Sequence, residues 1–131
     1  MTNSSDDLWP AAEELNAEPT DRAPMLILRD QALKLGAKTA NIVEATVTHE
    51  PSRDGSSLDL EFRLVAPALG YEYVLLRATQ PVDLYPVTLN FEDDRWVAND
   101  EAGFKQYLEN LFKSARTRRI ISNMLAQSKS A

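Results

Sequence analysis

Hydrophobic residues recur at two distinct periods along the chain, and these periods divide it into helices and strands. Between about residues 24 and 35, apolar side chains repeat every three or four positions, which predicts a helix with one buried stripe. Pro24 suits the first turn of this helix, and Gly36 suits the position just after its end. The predicted stripe consists of Met25, Leu28, Ala32 and Leu35.

Four runs between residues 41 and 92 have the pattern of strands. They are NIVEATVTH, SLDLEFRLV, YEYVLLRA and LYPVTLNFE, and the third is apolar on both faces, which favours a central position. The links are short and contain Asp54-Gly55 and Gly70, so an antiparallel meander in chain order is expected. Pro86 cannot donate to a ladder, so we expect the fourth strand to lie at an edge. EDDRWVA can add a brief fifth strand.

Two further apolar stripes at helical spacing end the chain. They predict a helix from about residue 100 to 113, with Asn99 or Asp100 as its N-cap, and another from about 115 to 127, with Ser114 as its N-cap. Strands and helices are segregated, so the fold class is α+β, with an antiparallel four-stranded meander, one helix before it and two after. The helices should pack on one face and leave the other wet, with outward Glu44, Thr46, Asp59, Glu61, Arg63, Thr88 and Asn90.

The start of the chain differs from the rest. Residues 1–22 lack sustained periodicity and are rich in Asp, Glu, Ser, Asn and Ala, so we interpret them as a disordered acidic tail. Pro10 suits the first turn of a short helix there. Residues 23–131 are interpreted as a single α+β domain, because a 131-residue chain with 44% hydrophobic residues can bury one core.

Composition and charge exclude several classes of function. The chain has no cysteine, which removes disulfides, thiol chemistry and thiolate zinc sites. Its net charge of −6 is uneven: residues 1–23 carry −5, residues 24–100 carry −5 and residues 101–131 carry +4. Because the net charge is negative, we do not expect the protein to bind nucleic acid. With no apolar run near 18 residues and no signal-like start, we expect a cytoplasmic protein without membrane contact.

No pattern of catalytic or metal-binding residues emerges. His49 is the only histidine, and it is interpreted as a residue at a strand end before a turn, not as a metal ligand or general base. The acids of residues 92–94 are consecutive and lack the glycine of a calcium loop. No phosphate-binding loop or nucleophile elbow is present. We therefore expect no catalytic residue, no metal and no cofactor, although enzymes without motifs exist.

Tyr71 and Tyr73 lie two residues apart on one face of the third strand. Aromatic pairs of this kind occur in base-stacking platforms and in ordinary cores. We favour the core interpretation, because the surrounding sheet surface is predicted to be acidic.

The lead for binding comes from the tail and from the last helix. Leu8, Trp9 and Leu15 lie among carboxylates in DDLWPAAEEL, and Trp is frequent among residues that dominate binding energy. Arg116 and Arg119 offer a basic rim on the last helix, whose three arginines are spread around it. Trp9 can pack on its own domain, anchor the tail to another protein or another copy, or stay idle, and the sequence leaves all three open. Our hypothesis is that Trp9 contacts protein.

Two classes of function follow. The first is a non-enzymatic protein-interaction module, such as a small acidic adaptor, chaperone-like or immunity-like protein, with self-association left open. The alternative is a small-molecule-binding or enzymatic domain with a pocket between the sheet and the helices.

Overall fold

A computed structural model of the chain describes residues 6–131; the first five residues of the predicted tail lie outside the described residues. The α+β class and the antiparallel meander are confirmed, because one sheet runs in the order β1-β2-β3-β4-β5 with antiparallel neighbours. The elements are α1 (Ala12–Leu15), α2 (Pro24–Lys38), β1 (Glu44–Pro51), β2 (Ser57–Ala66), β3 (Tyr71–Pro81), β4 (Val87–Phe91), β5 (Asp94–Ala98), α3 (Glu101–Phe112) and α4 (Ala115–Lys129).

The optional fifth strand and the helical turn expected after Pro10 are both formed, whereas one expected strand position is wrong. The fifth strand is formed, and a single helical turn, α1, precedes the predicted first helix, so two helical segments lie before the sheet. The edge position expected for the fourth strand is wrong, since β4 lies between β3 and β5. Pro86 precedes β4 instead of lying within it, so its missing N–H removes no ladder hydrogen bond.

The end of α2 corrects the role predicted for Gly36. The helix continues to Lys38, and the left-handed residue after its cap is Ala40, with φ 52°. Asn41 N–H donates to the Gly36 carbonyl at 2.8 Å, which is the long hydrogen bond of a Schellman ending. A Cβ on Gly36 would lie 3.0 Å from Asn41 Oδ1, the end of a side chain, so a larger residue here would only displace that amide slightly, and positive φ is not the reason for the glycine.

The caps of the other two long helices were predicted correctly. Asp100 Oδ1 accepts a hydrogen bond from Gly103 N–H at 2.8 Å at the start of α3. Ser114 Oγ accepts one from Thr117 N–H at 3.2 Å at the start of α4. Each cap satisfies one N–H group that the first turn leaves without an intrahelical partner.

One hydrophobic core lies between the sheet and the three long helices. It combines inward side chains of the strands, such as Leu60 and Leu89, with Leu28 of α2 and Phe104 of α3, each fully buried. The opposite sheet face carries exposed or half-buried polar side chains, as predicted; they include Thr46, Asp59, Glu61, Arg63, Thr88 and Asn90. The helices therefore pack on one face of the sheet.

Strands of unequal length leave part of β3 open. β3 has 11 residues and β4 has five, and the two pair only from Arg77 to Thr79 on β3. The chain turns into β5 directly after Phe91, through Glu92 with φ 53°. Within the described residues, β3 from Tyr71 to Leu76 consequently pairs with β2 alone. We call residues 71–76 the β3 edge.

Candidate binding sites

The N-terminal tail presents its large apolar side chains to solvent. Leu8 is 91% exposed, Trp9 is 77% exposed and Leu15 is 59% exposed. Hydrogen bonds of residues 6–20 that the structure describes are all internal to this segment, such as Asn16 Nδ2 to the Ala12 carbonyl at 2.8 Å. Trp9 therefore does not pack on its own domain here, and the predicted mobility of the tail stays a prediction.

The base of the tail, in contrast, is held by hydrogen bonds to the domain. Arg22 N–H donates to Glu101 Oε1 at 2.7 Å, and Tyr85 Oη donates to the Arg22 carbonyl at 2.8 Å. The Arg22 amide and Lys105 lower the pKa of Glu101, whereas burial and the nearby Glu101 charge raise the pKa of Tyr85. Among the described residues, hydrogen bonds to the domain thus begin at Arg22, and the predicted boundary between tail and domain stays a prediction.

A side chain from the sheet also accepts a hydrogen bond from a backbone N–H group in the first turn of α2. Gln80 is 7% exposed, and its Oε1 accepts a hydrogen bond from Met25 N–H at 3.1 Å. Ala23, the N-cap residue of α2, provides no side-chain cap, so Gln80 performs that role from β3. This role of Gln80 could not be predicted from local sequence patterns, because Met25 lies 55 positions away in the chain.

The arginines predicted as a basic rim lie on the exposed side of α4. Arg116, Arg118 and Arg119 are all exposed, and Arg116 has one weak ion pair, from its Nε to Glu92 Oε1 at 3.9 Å. At 100° per residue, Arg119 lies roughly 60° around the helix from Arg116, and Arg118 lies roughly 160° away. Arg116 and Arg119 therefore flank one side of α4, and Arg118 points to the other.

A groove of about 460 Å³ runs between α4 and the start of β3. Its lining includes Leu69, Tyr71, Tyr73, Arg116, Ile120 and Met124, and we call it the α4 groove. Tyr73 is half-buried and packs against the core, in agreement with the prediction. The core interpretation of Tyr71 is wrong, because this side chain is 49% exposed at the groove. The shortness of β4 leaves it uncovered.

The α4 groove continues into a notch of about 170 Å³ at the β3 edge. Tyr73 lines both, and Glu92 closes the notch on the far side. An edge strand carries unpaired N–H and C=O groups that can pair with an added strand. The groove and the β3 edge together thus offer apolar walls, one arginine and open backbone hydrogen-bonding groups.

A separate cavity of about 190 Å³ lies on the other side of α4, between the sheet and the helices. Its walls are mostly apolar and include Leu35, Phe62, Leu64, Leu75 and Ile121, together with the buried hydroxyl residue Thr117. Lys34 and Lys38 stand at its mouth. Lys34 pairs with Asp30 at 3.0 Å, whereas Lys38 has no ion pair among the described residues.

The outer face of the sheet holds a compact charge network. Glu61 accepts hydrogen bonds from Arg63 Nη2 at 2.7 Å and from Arg77 Nε at 2.9 Å, and these two contacts lower the pKa of Glu61. The network pairs charges across β2 and β3, which is the usual way to keep a sheet face in water.

Neither a metal centre nor a membrane span is found in residues 6–131. His49 is exposed at the end of β1, and no group of three or more potential metal-ligating side chains comes together in this part of the chain. No helix here is long and apolar enough to cross a bilayer. Comparisons with protein-family models, curated proteins and solved structures found no match to this chain.

Proposed function

We propose that the protein is a non-enzymatic interaction module that uses its acidic N-terminal tail to bind a protein surface. The observation that carries this proposal is the exposure of Leu8, Trp9 and Leu15 on a segment whose base is fixed at Arg22. A tryptophan that is 77% exposed contributes little to the stability of its own domain. Buried in a partner, the same side chain becomes a strong anchor.

The charge around the anchors favours a basic partner surface. Asp6, Asp7, Glu13 and Glu14 flank Trp9 and Leu15 in the sequence. These carboxylates keep a free tail hydrated, and they raise the rate of encounter with a positively charged rim. Small adaptor, chaperone-like and immunity-like proteins all act by binding a partner protein, and the proposed function covers these three kinds of protein.

Replacement of Trp9 by alanine tests the proposal. Leu33→Ala is the matched control, since Leu33 is 76% exposed but lies on α2. We expect Trp9→Ala to weaken partner capture in a pull-down or to change self-association, while the fold stays intact by circular dichroism. Leu33→Ala should match the wild type in both assays. A Trp9→Ala protein identical to wild type in melting temperature, oligomeric state and capture would mean that the tail is idle.

The cavity beside α4 supports a second candidate function, the binding of a small apolar carboxylic acid. A dry apolar cavity of about 150 Å³ is enough to bind benzene, and this one measures about 190 Å³. Lys38 at the mouth can pair with a carboxylate while the apolar body lies against Phe62 and Leu64. The site would hold a ligand of about the size of benzoate or hexanoate.

Thermal-shift measurements with benzoate and hexanoate test this second function. A ligand that binds only the folded state raises the melting temperature, and the rise grows with the logarithm of its concentration above the Kd. Ile121→Phe should fill the cavity and abolish the shift, and Lys38→Gln should reduce it. Lys129→Gln is the charge-matched control, because Lys129 lies at the far end of α4. A shift that persists in Ile121→Phe would place the ligand elsewhere.

A further inference from the structure

The α4 groove, the β3 edge and an arginine meet at one place, and together they resemble a receptor for a short extended peptide. Peptides that add a strand to an open sheet edge gain affinity from main-chain hydrogen bonds and specificity from pockets for alternate side chains. The β3 edge supplies the main-chain hydrogen-bonding groups, and the groove walls Tyr71, Tyr73 and Ile120 supply the pockets for side chains.

We propose that this receptor binds the N-terminal tail of a second copy of the chain, through the segment from Asp6 to Leu15. The proposal rests on the proposed function, since it names the surface that receives Trp9. Trp9 inserts into the α4 groove, and the backbone of residues 6–11, which precede the helical turn α1, lies along the β3 edge. When two copies exchange tails in this way, the contact closes as a symmetric dimer.

Charge complementarity points to the tail as the occupant. Of the basic residues of α4, Arg116 lines the groove and Arg119 lies on the same side of the helix, whereas residues 6–18 contain five acidic residues and no basic one. Glu72 and Glu92 lie at the β3 edge and beside the notch, so we place the carboxylates of the tail on the α4 side of the receptor. Arg116 lines the groove, and its contact to Glu92 is long, with both side chains about half exposed. Such an exposed pair is weak, so Arg116 can accept a second carboxylate at little cost.

The position of the tail's base favours a second copy over the same chain. Arg22 is held by Glu101 and Tyr85, and the adjoining Met25 is held by Gln80, near the carboxyl end of β3. The groove lies at the amino end of β3, about 30 Å away along the strand. The chain's own tail would reach the groove only when nearly fully extended, because Trp9 and Arg22 are 13 positions apart and four of the residues between them form the helical turn α1. A second copy can approach in any orientation, so its Trp9 can reach the groove without that extension.

A labelled peptide of residues 1–20 tests the receptor directly. The receptor is the full-length protein carrying Trp9→Ala, which removes the competing anchor and keeps the domain. We expect saturable binding by fluorescence anisotropy, weakened about tenfold or more when the peptide itself carries Trp9→Ala. Arg116→Glu in the receptor should weaken binding about tenfold as well. Arg118→Glu, with the same change of charge on the far side of α4, should leave it within about twofold.

Charge reversal and sedimentation complete the test. A peptide with Asp6→Lys and Asp7→Lys should bind the Arg116→Glu receptor better than the unmodified peptide does. Sedimentation velocity of the wild-type chain should show a concentration-dependent dimer that Trp9→Ala and Arg116→Glu dissociate and Arg118→Glu retains.

Three results would overturn the proposal. Equal peptide binding by the Arg116→Glu and Arg118→Glu receptors would place the contact elsewhere. A monomer at every concentration, with Trp9 fluorescence that still depends on Arg116, would show docking of the chain's own tail. Absence of peptide binding, together with Trp9-dependent capture of another protein, would remove the groove as receptor and leave the proposed function standing. If capture were absent too, both would fall.

Discussion

The two halves of β3 belong to one strand, yet they have different neighbours. From Arg77 to Thr79 the strand lies between β2 and β4, so its backbone can pair on both sides. From Tyr71 to Leu76 it pairs with β2 alone among the described residues. The side chains differ only at the start of the open half, where Tyr71 is 49% exposed, because Leu75 and Leu76 of the open half are buried in the core like Ala78 of the closed half.

This difference separates stability from binding within a single strand. The closed half lies over the core, where a lost methylene leaves a cavity that the packed neighbours cannot fill. The open half retains unpaired backbone groups and half-exposed aromatic side chains, which a binding partner can cover. Substitutions at core positions such as Ala78 should therefore change the free energy of unfolding, and substitutions at the exposed start of the open half, such as Tyr71, should change binding.

The largest effect is expected from Leu89→Ala, directly beside the closed half. Leu89 is fully buried and pairs with Ala78 across β3 and β4. Its truncation should lower the free energy of unfolding by about 2–5 kcal/mol, measured by urea denaturation. Val82→Ala, an 85% exposed site, is the control and should stay near wild type. Equal midpoints for the two variants would contradict the assignment of the core.

A smaller loss is expected at the end of the closed half. Gln80→Leu removes the acceptor of Met25 N–H and leaves that amide without a protein partner. An unsatisfied buried donor costs about 1–3 kcal/mol, so the midpoint of urea unfolding should fall accordingly. Gln106→Leu on the exposed face of α3 is the matched control. A Gln80→Leu protein as stable as this control would show that water replaces the lost acceptor.

Local patterns were sufficient to predict most of the fold. Alternation in SLDLEFRLV and helical spacing near Phe104 placed β2 and α3, because one apolar face must be buried in each. The caps Asp100 and Ser114 were also predictable, since a cap bonds to a residue three positions away. The role of Gly36 was predicted wrongly because glycine is frequent both where another group approaches closely and where φ is positive. The close neighbour of Gly36 is Asn41, which lies beyond the helix end, and the positive φ angles are at Ala40 and Asn41.

The candidate site depended on relations between strands, which a sequence pattern does not contain. LYPVTLNFE predicted a strand but not its register: β4 pairs with β3 only from Thr79 back to Arg77 and does not reach Tyr71, which stays exposed. The run YEYVLLRA contains two consecutive leucines, Leu75 and Leu76, that are both buried. The register between β2 and β3 shifts between Phe62 and Arg63, and this irregularity interrupts the alternation of inward and outward side chains. Arg116, Arg119 and the tail residues were predicted as binding residues and are exposed, whereas Tyr71 was assigned to the core.

The base of the tail should loosen in acid before the closed half of β3 does. The pKa of Glu101 is lowered from its ordinary 4.5 by the Arg22 amide and by Lys105. Its contribution is therefore present above about pH 4.5 and is lost as the pH falls through the lowered value. Amide exchange at Arg22 should accelerate in that window. Glu101→Gln should show fast exchange already at pH 7, and Glu109→Gln, which removes another exposed i,i+4 pair, should not.

The smallest effect on stability, and the sharpest test of the comparison, is expected from Tyr71→Thr in the open half. Threonine keeps the preference for strand conformation, and Tyr71 is about half exposed, so the free energy of unfolding should change by about 0.5–1 kcal/mol or less. Binding of the tail peptide should nevertheless weaken, because one wall of the α4 groove is lost. Hydrogen exchange gives an independent measurement: about every second amide of residues 71–76 points away from β2 and should exchange rapidly, whereas amides of residues 77–79 should be protected. Uniform protection along β3, or a loss of stability as large as that of Leu89→Ala, would show that the two halves form one closed unit and that the β3 edge is not free to bind.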